Sequence, residues 1–361
     1  MKKIMLFVMA ICLAFACQTP QKEKTGAESL LERMQVLQQK GYMFGHQDDP
    51  FYGLQWDGDT MPGVDKSDIL DLVGDYPAIM GFDLGGIEMG DEKNLDSVSF
   101  QRIHDAIVKH HERGGIVTIS WHPRNPVTGG TAWDVSDSTV IAQILGNDSV
   151  KVKFNTWMER VATFLKSLQT SDGKPVPVIF RPWHENNGSW FWWGQKLCSD
   201  EDFKAFWNLL QDYLNAEGLD NLLWSYSPNL DGQWTKERFL ARYPGNDRVA
   251  LIGEDAYQWG TEEDFVKQLN SDLTFIRDFA KENGKLYALT ECGYKNIPDS
   301  TWWTRVLQPI VENYSVSYLL PWRNYYKEYF APDVDQVSAA DFKKFYEAQK
   351  SLFLKDIQPN E

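Results

Sequence analysis

The chain has 361 residues, 43% hydrophobic and 24% charged, which is enough to bury one large core and ordinary for a globular protein. Its formal net charge of −15 leaves no basic stripe to neutralise phosphates, so nucleic acid is excluded as a partner and a neutral one is favoured. The 15 Trp, 15 Tyr and 20 Phe exceed what a core would draw on, since cores are built more naturally from Leu, Ile and Val, and much of this aromatic load is expected to line a groove.

Residues 1–16 carry Lys2 and Lys3 and then the apolar run Ile4 to Ala16, too short to span a bilayer and laid out as a signal peptide. Export is therefore expected, to the periplasm or to a membrane as an anchored lipoprotein. Ala14-Phe15-Ala16 fits cleavage after small residues, while Cys17 resembles the lipidated cysteine of bacterial lipoproteins, with Ala14 where Leu is usual. Residues 17–26 read as a polar tether and 27–361 as one domain, expected to act as a monomer. Cys198 and Cys292 are too few for a disulfide framework and lack CxxC spacing for structural zinc, so both read as small buried thiols.

From Ala27 onward, short strand-like runs alternate with longer amphipathic segments. Eight strands are predicted, at Tyr42 to Gln47, Ala78 to Gly85, Ile116 to His122, Val178 to Glu185, Leu222 to Asn229, Val249 to Tyr257, Leu286 to Gly293 and Val316 to Asn324. Helices are predicted over Val64 to Val73, Val98 to Arg113, Val150 to Gln169, Asp200 to Glu217, Glu262 to Glu282, Trp302 to Asn313 and Ala339 to Phe353, with a short one at Lys236 to Arg242. Asp200 and Thr261 are expected caps. The pattern is α/β, and eight such units match a single (β/α)₈ TIM barrel with long loops at the C-terminal rim. A doubly wound sheet would want a Gly-rich phosphate loop after its first strand, and FGHQDDPFYG is not one.

Polar and aromatic residues gather at the C-terminal ends of the predicted strands: His46, Asp83, Trp121 with His122, His184 with Glu185, Asn229, Tyr257, Glu291, and Trp322 with Arg323. A barrel puts its chemistry at that rim. The densest stretch is Val178 to Gly194, VIFRPWHENNGSWFWWG, in which a buried strand runs into a carboxyl and then into Trp190, Phe191, Trp192 and Trp193, read as four aromatics in a loop. Regular alternation would put Arg181, Trp183 and Glu185 on one face and His184 on the other. The bland reading is a Glu185–Arg181 ion pair under a satellite hydrophobic cluster. Flat apolar rings beside a carboxyl instead suit a sugar, whose faces carry C–H groups and whose rim carries hydroxyls. Glu291 and Glu185 close the seventh and fourth strands, roughly across the mouth of a barrel from each other, as a glycosidase requires of its two carboxyls. Glu185, among apolar rings and near Glu291, is the candidate acid, and Glu291 needs partners such as Arg181 or Tyr257. Asp83 is read as positioning a neighbour, and His46 as a hydrogen-bonded scaffold residue.

These motifs resemble glycoside hydrolase family 26, a retaining barrel family of mostly β-mannanases, over essentially the whole mature chain. In RPWHENNGSWFWWG the family's acid/base Glu follows a His and precedes a sugar-stacking aromatic, positions held here by Glu185, His184 and Trp190. The family's TE-x-G nucleophile motif is matched by Thr290, Glu291 and Gly293, with Cys292 in place of the usual Phe. The resemblance further implies substrate contacts by His122, Tyr257, Trp322 and Arg323, and no metal or cofactor. It implies a substrate of β-mannan polysaccharide or manno-oligosaccharide, cut internally, with release of mannobiose from an end as the alternative, and with β-xylanase or β-glucanase activity on the same fold as another. Two further classes are a metal-dependent barrel hydrolase, for which His46, His122 and His184 lack ligand spacing, and a glycan-binding protein without catalysis, against which both carboxyls argue. His110 and His111 read as a solvated helix face.

Overall fold

The computed structural model describes residues 24–57 and 63–358. The leader, Cys17 and most of the tether lie outside the described residues. Eight parallel strands close into a barrel: β1 (Tyr42–Gln47), β2 (Ile79–Asp83), β3 (Ile116–Trp121), β4 (Val178–Pro182), β5 (Leu222–Tyr226), β6 (Leu251–Tyr257), β7 (Leu286–Gly293) and β8 (Tyr318–Pro321). Each pairs with the next, and β1 pairs with both β2 and β8. Strands buried on both faces read as continuous apolar runs, which is why their positions are legible in the sequence.

Alternation sorts the strand residues into two shells. Ile79, Ile179, Leu251 and Ala288 belong to the cluster inside the barrel, while Phe82, Phe180, Ile252 and Leu289 join the larger shell between strands and helices. Gly253 sits among the interior polar groups, and a Cβ there would stand 2.3 Å from both Ser227 Oγ and Thr290 Oγ1.

Several elements differ from the sequence expectation. A helix over Gly26–Gln38 begins inside the predicted tether, closed by a capping box in which Thr25 and Glu28 bond each other's backbone N–H. Its Leu30, Met34 and Leu37 pack with the strand-start residues Ile79, Ile116 and Leu251 and so plug the barrel's N-terminal end, and Ala27 N–H donates to Asp220 O at 3.4 Å just before β5. At the C-terminus, the helix predicted through Phe353 stops at Glu347, and Ser351–Leu352 forms a ninth strand, β9, beside Tyr42 and Met43, below the point where β2 joins β1. An unpredicted helix also spans Val140–Gly146. Thr261 caps its helix as expected, but Ser199 rather than Asp200 caps the helix over Asp200–Ala216. Cys292 is buried and Cys198 only half-buried. His110 is not solvated: it is buried, with Nε2 3.3 Å from Ala78 O, and burial pushes its imidazole down to about 3.

Phe353 fixes the C-terminal strap by stacking on Phe44 of β1 at 4.9 Å and 14° and meeting Tyr346 edge-on at 4.7 Å. Phe353→Ala is expected to cost ~3–5 kcal/mol, as large-to-small changes at buried rings do. Urea denaturation monitored by Trp fluorescence checks this, and a loss within 1 kcal/mol, the scale of a mere surface change, would contradict it.

Candidate active site

The site begins with β4, whose interior side chain next after Ile179 is Arg181. Its guanidinium is buried and bonds Asp255 of β6 at 2.9 Å and Glu291 of β7. Arg181 thus does not pair with Glu185. Burial alone would push this guanidinium down, but the charges of Asp255 and Glu291 outweigh it and hold Arg181 above its ordinary value. Strict alternation along β7 would send Thr290 and Glu291 to opposite faces. The β6–β7 pairing shifts register between Glu254 and Asp255, and both side chains reach the interior, where Thr290 Oγ1 donates to Asp255 Oδ1 at 2.7 Å. Tyr257, at the end of β6, donates its hydroxyl to Glu291 Oε2 at 2.8 Å. Glu291 therefore has both a fixed positive charge and a hydroxyl donor.

The end of β4 departs from the expected alternation. The strand stops at Pro182, and Trp183 and Glu185 take positive φ values of 54° and 51°, a conformation costing a side-chain-bearing residue ~1–3 kcal/mol. The turn swings Trp183 away from the cleft into the aromatic shell, 4.3 Å from Phe206 and 5.2 Å from Trp121, and brings His184 to the cleft instead. Glu185 N–H donating to Ser227 O at 2.7 Å and Trp193 Nε1 donating to His184 O at 2.8 Å hold it. The following aromatics do stand in a loop, but three of them are core: Phe191, Trp192 and Trp193 are buried, and Trp190 alone of the four is exposed, at 40%. Trp190 Nε1 donates to Glu185 Oε2 at 2.6 Å, a contact that orients the carboxyl and that the sequence does not announce.

Burial, and then the charge of Glu291, push Glu185 up to about 8, against the pull of the Trp190 hydrogen bond. Burial and the charges of Glu291 and Glu185 likewise raise Asp255, with Arg181 pulling back. One oxygen from each of these three carboxyls lies within 4.8 Å of the others. That grouping would attract a cation, but the Arg181 guanidinium already bonds two of its members, so the positive charge is the protein's own.

Above this floor lies a cleft of about 620 Å³ lined by all eight residues singled out in the sequence, Glu185, Glu291, His122, His184, Trp190, Tyr257, Trp322 and Arg323. His122 and His184 meet at 4.4 Å, ring to ring, although they come from different strands. Burial would lower His122, but Asp83, bonded to its Nδ1 at 2.7 Å, outweighs this and raises it. His184, whose Nε2 stands 3.8 Å from Glu291 Oε1, is pushed well below its ordinary value by burial and by the charges of Arg181 and His122. Asp83 is thus a positioning residue. His46 lies outside the cleft, its Nδ1 2.7 Å from Asp49 Oδ1. Arg323 is anchored by Asp96 at 2.7 Å and lies against the rings of Tyr52 and Tyr325. The sequence reading missed Asp255, Trp133, which stacks on His122 at 5.5 Å and 15°, and Trp259. A charged residue in a buried strand was a usable signal for Asp255; the two indoles come from loops whose course no local pattern sets.

A parallel barrel that sets two carboxyls against each other in an aromatic cleft defines the barrel glycoside hydrolases as a class. The chain belongs to glycosyl hydrolase family 26, whose profile matches residues 18–349. It is 31% identical over 330 residues to a mannan endo-1,4-β-mannosidase of Bifidobacterium adolescentis, covering 82% of this chain but only 32% of that protein. A Bacillus subtilis protein of the same description is 29% identical over 287 residues, covering 76% of this chain and 73% of its own. The solved structure of a β-mannanase from Bacteroides ovatus superposes with a TM-score of 0.89 at 44% identity, covering 94% of this chain and 98% of that one.

Asp83→Asn removes the nearest charge that raises His122 and leaves burial and Arg181, which lower it, against Glu291, which raises it. The His122 imidazole should then titrate lower than in the wild type, observable by NMR of the ring carbon protons. An unmoved titration would remove Asp83 from its positioning role.

Proposed function

We propose that this protein is a retaining, endo-acting β-mannanase that hydrolyses β-1,4-mannosidic bonds in mannan, galactomannan or glucomannan. The observation that carries the mechanism is the approach of Glu185 and Glu291, one oxygen of each within 4.8 Å. Inverting enzymes hold the pair about 6.5–9.5 Å apart to admit a water, whereas retaining ones bring them to about 5–5.5 Å. The names of the family relatives support mannan as substrate and internal cutting.

In this reading Glu291, oriented by Arg181 and Tyr257, attacks the anomeric carbon as the glycosidic C–O bond breaks. Glu185, which burial keeps protonated at neutral pH, gives its proton to the departing oxygen. Water then attacks the glycosyl ester, Glu185 takes the water's proton, and the Glu291 carboxylate is released. His122, His184 and Trp190 contact the sugar at the cut, while Trp322 and Arg323 hold the unit on its non-reducing side. Lys2, Lys3 and the apolar run to Ala16 support export, with Cys17 as the site of lipid attachment. Labelled palmitate should enter the wild type and not Cys17→Ala; equal labelling would refute the anchor.

NMR of early products should show the β anomer first, and the α anomer first would overturn retention. Glu185→Gln is expected to lose about 10²–10⁴-fold on polysaccharide and far less on an aryl mannobioside with a good leaving group. Equal losses on both would remove Glu185 from the acid role.

A further inference from the structure

We infer that Glu254 is held as a neutral carboxylic acid that donates its proton to the Asp272 carboxylate, and that this bond is a positioning contact that keeps Asp255 under Arg181.

Glu254 follows the interior Gly253 on β6 and so faces the helix shell. It is 0% exposed there, and neither of its carboxyl oxygens has a hydrogen-bond donor. Its neighbour is Asp272, on the helix over Glu262–Glu282, which is also 0% exposed and lies in side-chain hydrogen-bond contact with it. The two oxygens of Asp272 are used differently. Oδ2 accepts the backbone N–H groups of Asp231 and Gly232, both at 2.7 Å, while Oδ1 has no donor. Two N–H groups on one oxygen favour the ionised form of Asp272. A second ionised carboxylate against it would put two buried anions in contact, because Arg181 is taken by Asp255 and Glu291, and Arg238 is paired with Asp231 at 2.6 Å. One proton on Glu254 removes that repulsion and supplies the donor that Asp272 Oδ1 lacks. Burial, and then the charge of Asp272, push Glu254 well above the ordinary carboxylate range, with Asp255 and Asp231 adding to the push. A metal ion would want more ligands than this pair offers, and the described residues bring three such groups within 4.8 Å of one another only at Glu185, Asp255 and Glu291.

The pair stands where β6 departs from regular geometry. Its register with β7 shifts between Glu254 and Asp255, the step that brings Asp255 to Arg181. The chain after β5 grips Asp255 from the other side: Asp255 N–H donates to Pro228 O at 3.0 Å, and Leu230 N–H donates to Asp255 O at 2.9 Å. Asp272 holds the next two residues of that same segment. One helical carboxylate thus fixes both walls around the backbone of Asp255, and it reaches β6 only through the proton on Glu254.

Urea unfolding over a range of pH tests the proton without any substrate. Folding takes up a proton wherever the unfolded Glu254 has ionised and the folded one has not, so the contribution is complete below the ordinary value of 4.5 and falls as the pH rises, until the folded Glu254 ionises too. Glu254→Gln keeps a donor to Asp272 and cannot titrate. The ratio of unfolding constants, wild type over Glu254→Gln, should therefore rise about tenfold per pH unit roughly between pH 5.5 and 7.5, since Glu185 and Asp255 titrate in both chains. Parallel curves would overturn the inference. Chains labelled with ¹³C at the glutamate carboxyl should also show a protonated line at neutral pH that Glu254→Gln removes and Glu185→Gln does not. Should Glu254→Gln fail to fold, the wild type decides alone: no protonated line beyond the one that Glu185→Gln removes would overturn the inference. For the positioning role, Glu254→Leu should lower kcat on an aryl β-mannobioside about tenfold with little change in KM, and Glu254→Gln should restore most of it. Equal kcat in Glu254→Leu and wild type would remove Glu254 from that role. A wild type that cleaves no β-mannoside would overturn the proposed function and leave the unfolding and NMR results standing.

Discussion

The arrangement depends on one buried cation. Arg181 stands inside the barrel, where an uncompensated guanidinium would cost several kcal/mol, and it is tolerable only because β6 and β7 deliver Asp255 and Glu291 to it. A planar fork can serve two carboxylates on neighbouring strands at once, which a lysine's single ammonium does less well. The pairing is also a condition on the sheet: unless β4, β6 and β7 close in the right register, the charge is left unpaired. Fold and site therefore stand or fall together, and the shift at Glu254 and Asp255 is the local adjustment that makes the two compatible.

The two carboxyls facing the cleft differ because their surroundings do. Glu291 meets a guanidinium and a phenol, whereas Glu185 meets an indole N–H and apolar rings on a turn strained at two residues. A third carboxyl, Asp255, absorbs part of the same guanidinium charge. Removing any one group should change the protonation of the others, so single substitutions here read as changes to a cluster.

Most of the barrel was legible because strands covered on both faces must be continuously apolar, and β1 and β7 fall at the expected residues. The site was legible for a related reason, since a polar residue ending such a run has few structural uses. What the sequence hid follows from departures from regular geometry. Trp183 and His184 exchanged faces because two side-chain-bearing residues adopt a left-handed conformation that no composition signals. Phe353 carries a helical pattern but is drawn into a strap by stacking on Phe44, a contact distant in sequence. The first helix was different, because Thr25 and Glu28 hold the spacing of a capping box and could have been read.

The first helix also decides how the molecule meets its surroundings. Because that helix plugs the N-terminal end of the barrel, its start at Thr25 lies on the face opposite the cleft. A bead, a cell surface or a fused binding module attached there leaves the cleft turned outward. An insoluble polymer thicker than the barrel itself can then reach the carboxyls without passing the support.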